Sequence, residues 1–443
     1  MDYDYDIAFI GGGLNYAGAI VATKAGMKCV LIEQNMQHIG GTCLHNGCIP
    51  SKMYLYAAQN IYKSKHNYID GNLSLDMQKL FAEKETLVKT TTQAIVKQCK
   101  DVKLIDAKAT IIAPHTIQID QDTVISAKYV IIGTGASAFI PEGIEYGGDI
   151  ITSDELFNLK TLPKDIAVYG DGAIGLEMIS FFAANGVKSH LIYRHEKILH
   201  KSHPQISEAI TQQLIDLDIS LYANKQIKSA KSTLKRGVHI TFDDGTSKYV
   251  SKLLIATGRR ANTQVVQTSE IETNSKAIVT NKDYETTAPN HFAIGDCNAK
   301  VQLAHAARAE VLYVVRKILN QETQHIDEDK IVKFIHTIPC SYAYVGKRAS
   351  QLKEENIDYK QSIITLKNMP YASSHDGKNG VIVLYADNQN FIIGAELFLP
   401  NAEELISVVS MALAGEMDIS SAKDTILAHP TFSESLEKAF MRL

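Results

Sequence analysis

Two stretches of the chain repeat one pattern of apolar and polar positions. Residues 5–33 read as an apolar strand (YDIAFI), a glycine turn (GGG), a helix of small residues (YAGAIVATKAG) and a second apolar strand (KCVLIE). Residues 165–194 repeat this as DIAVYG, DGAIG, LEMISFFAANG and KSHLIYR. Strand, glycine turn, helix and strand make the βαβ unit that binds dinucleotides. Two copies in one chain imply two nucleotide-binding domains, where a single copy could be coincidence.

Each copy is followed by a later strand that ends in a glycine turn, YVIIGTGA at 129–136 and LLIATGR at 253–259. A further strand, HFAIGD at 291–296, precedes a helical run, LAHAARAEVLYVVRKIL. Between the first unit and its later strand, residues 64–105 predict a long amphipathic helix. From about residue 330 the pattern changes: GVIVLYA and FIIGAELFL read as strands of an antiparallel sheet, with helices around 401–415 and 431–442. The expected fold class is α/β, with two Rossmann-like dinucleotide-binding domains and a C-terminal α+β domain. No Gly/Ser-rich or Pro-rich linker separates these regions, so packed domains are expected.

Composition agrees with this reading. The 443 residues suffice for roughly three domains, and 45% hydrophobic against 21% charged residues is the balance of a protein with a large core. No apolar run approaches the roughly 18–20 residues that span a bilayer. The start, MDYDYDIAFIGGG, lacks the basic region of a signal peptide, so a cytoplasmic location and no membrane partner are expected. A net charge of −4 provides no general basic surface for nucleic acid. Of the six cysteines only Cys43 and Cys48 are close in sequence, which points to a catalytic or metal role for that pair rather than a disulfide framework.

The second glycine turn carries all three fingerprint glycines, Gly170, Gly172 and Gly175. They serve the tight turn, the approach of backbone amides to a pyrophosphate, and close helix–strand packing. The first turn has Gly11 and Gly13, but its third position falls at Tyr16, with Gly18 two residues on; a one-residue shortening of the turn would account for this. Glu33 ends the next strand, where an acid accepts hydrogen bonds from a ribose. Then follows GGTCLHNGCIPSK at 40–52. Two cysteines five apart near a helix start can pair, and Pro50 suits the first turn of a helix beginning near Cys48. The dipole of that helix favours a thiolate at its N-terminus. No second cysteine pair exists, and zinc sites normally use spacings of about two to four, so no metal site is expected.

GGTCLHNGCIPSK resembles the active-site signature of the class I pyridine nucleotide–disulfide oxidoreductases, with the CIPSK ending closest to the dihydrolipoamide dehydrogenase and mercuric reductase branches. GTGAS at 133–137, ATGRRANT at 256–263, AIGDC at 293–297, LAHAA at 303–307, PNAEEL at 400–405 and AHPTFSE at 428–434 match the family in order. The resemblance implies that Cys43 is the interchange thiol and Cys48 the thiolate against the flavin. Lys52 would stand near the flavin, paired with Glu177, and His429, held by Glu434, would be the acid–base. For FAD it implies contacts at Gly11, Gly13, Glu33, Gly41, Thr42, Lys52, Thr134, Gly135, Asp296, Leu303, Ala304 and His305. For the nicotinamide nucleotide it implies Gly170, Gly172, Gly175, Arg194 and Gly258. It also implies an FAD domain at 1–150 and 263–328, an NAD(P) domain at 151–262, an interface domain at 329–443, and a homodimer.

The dyad also follows from the residues. Thiol–disulfide exchange must deprotonate one thiol and reprotonate another near neutral pH, which suits an imidazole oriented by a carboxylate. Two departures from the family pattern bear on function. Where an acid would select NADH, the sequence has Tyr193-Arg194-His195-Glu196-Lys197, with His200 and Lys201 beyond; Arg194 could neutralise a 2′-phosphate, so NADPH is expected over NADH. The alternative is a solvated basic strand end. His45, between the cysteines, is expected to face solvent rather than to tune Cys43. The family's Pro-Glu near 338–346 is displaced, as IPCSYAYVG, which is expected to alter packing only.

The expected activity is electron transfer between NAD(P)H, FAD and a dithiol or disulfide substrate, as in dihydrolipoamide dehydrogenase. The alternative is an NADPH-dependent reductase of another disulfide or oxidant. The chain ends LEKAFMRL, without the C-terminal cysteine pair of mercuric reductase. A non-catalytic redox sensor is the alternative of another class; the dyad argues against it, because a sensor needs no dedicated acid–base.

Overall fold

The computed structural model describes residues 2–65, 68–69, 71, 73–121 and 123–443. The chain forms two compact units. The first comprises Met1–Pro50, Phe81–Phe139 and Arg259–Ile326, and the second Ser51–Leu80, Ile140–Gly258 and Asp327–Leu443.

The first unit is built on a parallel sheet in the order Lys103–Asp106, Cys29–Glu33, Tyr5–Ile10, Thr123–Ile132 and His291–Ala293. Its central strands are apolar without alternation (FI at 9–10, VLI at 30–32, VII at 130–132) because both faces are covered. A hairpin of Ala109–Ala113 and Thr116–Ile119 continues the sheet in antiparallel sense along the first half of Thr123–Ile132. On one face, helix Asn15–Lys24 lies against helix Ala304–Ile318. Phe9, Leu31, Ile131, Val311 and Val314 share the core there.

That contact explains the irregular first fingerprint. A Cβ on Gly18 would stand 2.5 Å from Val311 Cγ2 and 3.2 Å from Phe9 Cε1, so the close-packing glycine is Gly18 and Tyr16 occupies the third fingerprint position. The expected shortening of the turn is not found. The helix begins at Asn15, four residues after Gly11, whereas its counterpart begins at Ala173, three after Gly170.

Among its described residues the second unit holds three sheets. One is parallel, in the order Ser220–Tyr222, Lys188–Ile192, Asp165–Tyr169, Lys252–Ile255 and Ile150–Ile151. Its strands feed helices Ala173–Ala184 and Pro204–Asp216. Strands Ile227–Thr233, Gly237–Phe242 and Ser247–Val250 make a small antiparallel sheet. From residue 333 a five-stranded antiparallel sheet runs Lys333–Ile335, Ser341–Gly346, Ile392–Leu399, Val381–Ala386 and Lys360–Thr365. Helices Ala402–Ala414 and Ser433–Met441 pack on it through Leu405, Ile406, Val409, Leu436 and Phe440.

The helix predicted across 64–105 covers Met77–Gln98; residues 66, 67, 70 and 72 of that stretch lie outside the described residues. Its start is set by Asp76, whose Oδ1 accepts from the Gln78 and Lys79 amides. Among the described residues no helix is long and apolar enough to cross a membrane.

Candidate active site

In the first unit the cysteine segment is folded by glycines. Gly40 and Gly41 adopt φ of +97° and +62°, a region that favours residues without Cβ. A Cβ on Gly41 would stand 2.9 Å from Gly13 Cα, so the cysteine segment presses directly on the first nucleotide turn. The short helix Gly41–His45 carries Thr42 and a half-exposed Cys43. At Gly47 the chain passes so close that a Cβ would lie 2.8 Å from the Thr42 carbonyl oxygen and 3.3 Å from Cys43 Cα. That crossing turns the chain back past Cys43 before Cys48 opens helix Cys48–Lys63 as an exposed residue.

His45 does not face solvent as expected. Its ring is half-buried, Nε2 lies 3.1 Å from the Ile39 carbonyl oxygen, and His38 stacks obliquely at 5.0 Å. Burial lowers its pKa, partly opposed by the Ile39 bond. The residue ties the loop before the cysteines to the helix that carries Cys43.

The same unit leaves open space over bare backbone. A Cβ on Gly13 or Gly135 would meet nothing within 4 Å. Glu33 ends the neighbouring strand: Oε2 accepts from the Gly12 amide at 2.6 Å and Oε1 from the Asn35 amide at 3.2 Å. Thr134 donates from Oγ1 to the Asn262 carbonyl at 2.7 Å. Asp296 sits in the turn Gly295–Asn298, where burial raises its pKa and Arg259 opposes the rise. That turn is fixed by buried Glu310, whose Oε2 accepts from the Gly295 amide at 2.7 Å and Asn298 Nδ2 at 3.0 Å. Leu303 precedes helix Ala304–Ile318 in extended conformation, and Ala304 and an exposed His305 begin the helix. Open space over two glycines, an acid at the strand end and a second, desolvated acid fit a dinucleotide bearing ribose and polyol hydroxyls.

The second unit repeats the device. Gly170 has φ +121°, and a Cβ there would stand 2.3 Å from the Ala256 carbonyl oxygen; one on Gly175 would stand 1.9 Å from the Gly170 oxygen. Gly172 and Gly258 face open space. After strand Lys188–Ile192, Tyr193 is buried in the core, while Arg194 is exposed and donates from Nε to His195 Nε2 at 3.2 Å. His195 stacks on His200 at 3.9 Å.

Two pairs in this unit carry charge chemistry. Lys52 Nζ meets Glu177 Oε1 at 2.5 Å, with the Glu177 side chain 8% exposed. The same oxygen accepts from the His336 amide at 2.9 Å, and the Lys52 ammonium stands 5.0 Å from the Phe334 ring centre. His429 Nδ1 lies 2.7 Å from Glu434 Oε1, and Glu434 Oε2 accepts from the Thr431 amide at 3.3 Å. The bond to His429 is the main cause of the lowered Glu434 pKa. His336 stands two residues before the displaced IPCSYAYVG segment, and nothing in its local sequence points to Glu177 or Glu403. Among the described residues, no three His, Cys, Asp or Glu side chains are grouped to hold a metal ion.

Residues 5–310 match the family model described as pyridine nucleotide-disulphide oxidoreductase. The chain belongs to that family. The family is FAD-dependent and uses NAD(P)H. Residues 331–440 match its dimerisation domain. Among curated relatives, a dihydrolipoyl dehydrogenase of Chlamydia muridarum is 28% identical over 98% of this chain and 96% of that protein. A mercuric reductase of Lysinibacillus sphaericus is 29% identical over 98% and 82%. Among solved structures, the Cu(II) complex of the HOCl-induced flavoprotein disulfide reductase RclA from Escherichia coli superposes with a TM-score of 0.89 at 26% identity, covering 100% of this chain and 99% of that one. As a family member the chain is an oxidoreductase of the pyridine nucleotide–disulfide class.

Proposed function

We propose that the chain works as a homodimeric disulfide oxidoreductase of the dihydrolipoyl dehydrogenase type, with Cys43 and Cys48 as its redox couple. FAD, when bound, relays two electrons between NAD(P)H and the disulfide. Gly11, Gly13, Gly41, Thr42, Thr134 and Gly135 would provide the backbone cradle, Glu33 would hold the adenosine ribose, and Asp296 with Leu303, Ala304 and His305 the remainder. Gly170, Gly172, Gly175 and Gly258 would receive the nicotinamide nucleotide, and Arg194 a 2′-phosphate, which makes NADPH the expected donor. FAD would be bound by residues 1–150 and 263–328 and NAD(P) by 151–262, with 329–443 as the interface domain and the cytoplasm as the setting.

Lys52, fixed by Glu177, would hold positive charge beside the flavin. Cys43 would attack or be attacked by the substrate sulfur, with Cys48 as the resolving thiol. His429 would take the proton from the incoming thiol and return it to the leaving one, Glu434 fixing the ring and stabilising its cation. In the proposed dimer this dyad serves the partner's disulfide. The observation that carries the reading is the carboxylate-held, 79% exposed His429, an oriented imidazole open to an incoming thiol.

A second reading, reduction of an oxidant other than a lipoyl group, is favoured by the likeness over the full chain to a reductase solved with Cu(II). Steady-state assays with lipoamide, dihydrolipoamide, glutathione disulfide, Hg²⁺ and Cu²⁺, each with NADH and NADPH, separate the two. Preferential turnover of lipoamide supports the first. Turnover confined to metal ions supports the second, and no turnover with any of them overturns both.

A further inference from the structure

The Lys52–Glu177 pair does not stand alone. The Glu177 oxygen that receives Lys52 also receives the His336 amide at 2.9 Å. On its other side, His336 places Nδ1 3.2 Å from Glu403 Oε1. Glu403 belongs to the first turn of helix Ala402–Ala414. A chain of contacts therefore runs from Lys52 through Glu177 and His336 to that helix. The His336 and Glu403 side chains are only 16% and 15% exposed.

Glu403 is an unusual residue to find there. An acid in the first turn of a helix is normally explained by the dipole, and the exposed Glu404 beside it serves that purpose in water. Glu403 instead turns inward, and its Oε2 is buried with no hydrogen-bond partner among the described residues. A buried carboxylate oxygen left without a partner costs stability, so its retention calls for a reason outside folding. Among the described residues, the one group that this carboxylate holds is the His336 ring.

We propose that Glu403 and His336 are positioning residues for the nicotinamide half of the reaction. Glu403 anchors the imidazole, the anchored residue aims its main-chain N–H at Glu177, and Glu177 aims the Lys52 ammonium. The inference rests on the proposed place of Lys52 beside the flavin. It adds that the dimerisation domain sets the geometry of the hydride-receiving side, separately from the proton transfer of His429.

The test uses the full-length flavoprotein and its Glu403→Ala, Glu403→Gln and His336→Ala variants, with the Ala/Ala double variant. Two quantities are read: the flavin midpoint potential and the rate of flavin reduction by NADPH in stopped flow. Reduction of the flavin by a dithiol and the melting temperature serve as controls. Glu403→Ala and His336→Ala should each shift the potential and slow reduction by NADPH by roughly ten- to a hundredfold, the upper figure being what a misplacement of about 1 Å can cost. The double variant should be no slower than either single one, because all three break one chain. Glu403→Gln, whose amide oxygen still accepts from Nδ1, should stay near wild type. Should Glu403→Ala not fold, Glu403→Asp, which withdraws the carboxylate by one methylene, takes its place with the same expectation. Wild-type rates and potential in the alanine variants, additive effects in the double variant, or equal slowing of both half-reactions overturn the inference. A wild-type protein that binds no flavin would instead remove the proposed function, and is seen before any variant is made.

Discussion

His429 and Glu434 form a 2.7 Å hydrogen bond while the His429 side chain is 79% exposed and that of Glu434 only 21%. The carboxylate is fixed by the Thr431 amide and the start of helix Ser433–Met441, so the ring is oriented by a rigid base and presented outward. An acid–base that serves a second copy of the chain needs that arrangement. Replacing His429 with Ala should lower turnover with a thiol or disulfide substrate by about 10²–10⁴-fold. Flavin reduction by the nicotinamide should persist, because hydride transfer uses no proton from this ring. Comparing steady-state turnover with the stopped-flow reductive half-reaction checks both halves of the statement.

Arg194 is proposed to select the nicotinamide. It is exposed at the end of strand Lys188–Ile192, beside the stacked His195 and His200. A contact between guanidinium and phosphate is charge-assisted, roughly twice as strong as a neutral one, and NADH has no 2′-phosphate with which to make it. Arg194→Ala should therefore raise KM for NADPH and leave KM for NADH nearly unchanged. Equal effects on both would remove Arg194 from cofactor selection.

Gly18 is expected to tolerate no side chain, because Val311 Cγ2 occupies the space that a Cβ needs. Gly18→Val should overpack the contact between helices Asn15–Lys24 and Ala304–Ile318 and destabilise by roughly 1–3 kcal/mol. Thermal unfolding measures it; an unchanged melting temperature would mean that the two helices separate freely.

His190 gives the fold an acid-sensitive point. It is 2% exposed, neither ring nitrogen has a partner among the described residues, and burial lowers its pKa to about 4. The folded state therefore binds this proton less readily than the unfolded chain, whose value is 6.5. Stability from the neutral ring is fully present above the unfolded value and is lost as pH falls from 6.5 toward about 4, by about 3 kcal/mol in all. His190→Leu should remove this part of the pH dependence. Denaturant unfolding of both proteins at pH 7 and pH 4.5 reads the difference.

Much of the architecture was legible because parallel sheets write a strong signal. Strands such as FI at 9–10 and VLI at 30–32 are apolar without interruption, and Gly11 and Gly170 mark turns that no other residue could make. The strands Ile227–Thr233, Gly237–Phe242 and Ser247–Val250 escaped notice because they are short and partly polar, with one face in water. The Cys43–Cys48 segment and the His429–Glu434 pair were legible because their spacing is local. The His336–Glu403 contact was not, because it joins residues 67 positions apart (403 − 336), and nothing in PNAEEL marks His336 as the partner of Glu403. His45 was misread for a related reason: its partner is a backbone carbonyl, which leaves no mark on side-chain pattern.

The proposed function stands or falls on whether Cys43 and Cys48 exchange electrons with a bound flavin. The direct measurement is the absorbance spectrum of the purified protein, recorded anaerobically before and after a dithiol is added, for wild type and Cys48→Ser. The wild-type protein should be yellow and gain a long-wavelength charge-transfer band on reduction, and the Cys48→Ser protein should stay yellow without gaining it. A colourless wild-type protein that cannot be reconstituted with FAD, or a band that survives in Cys48→Ser, would contradict it.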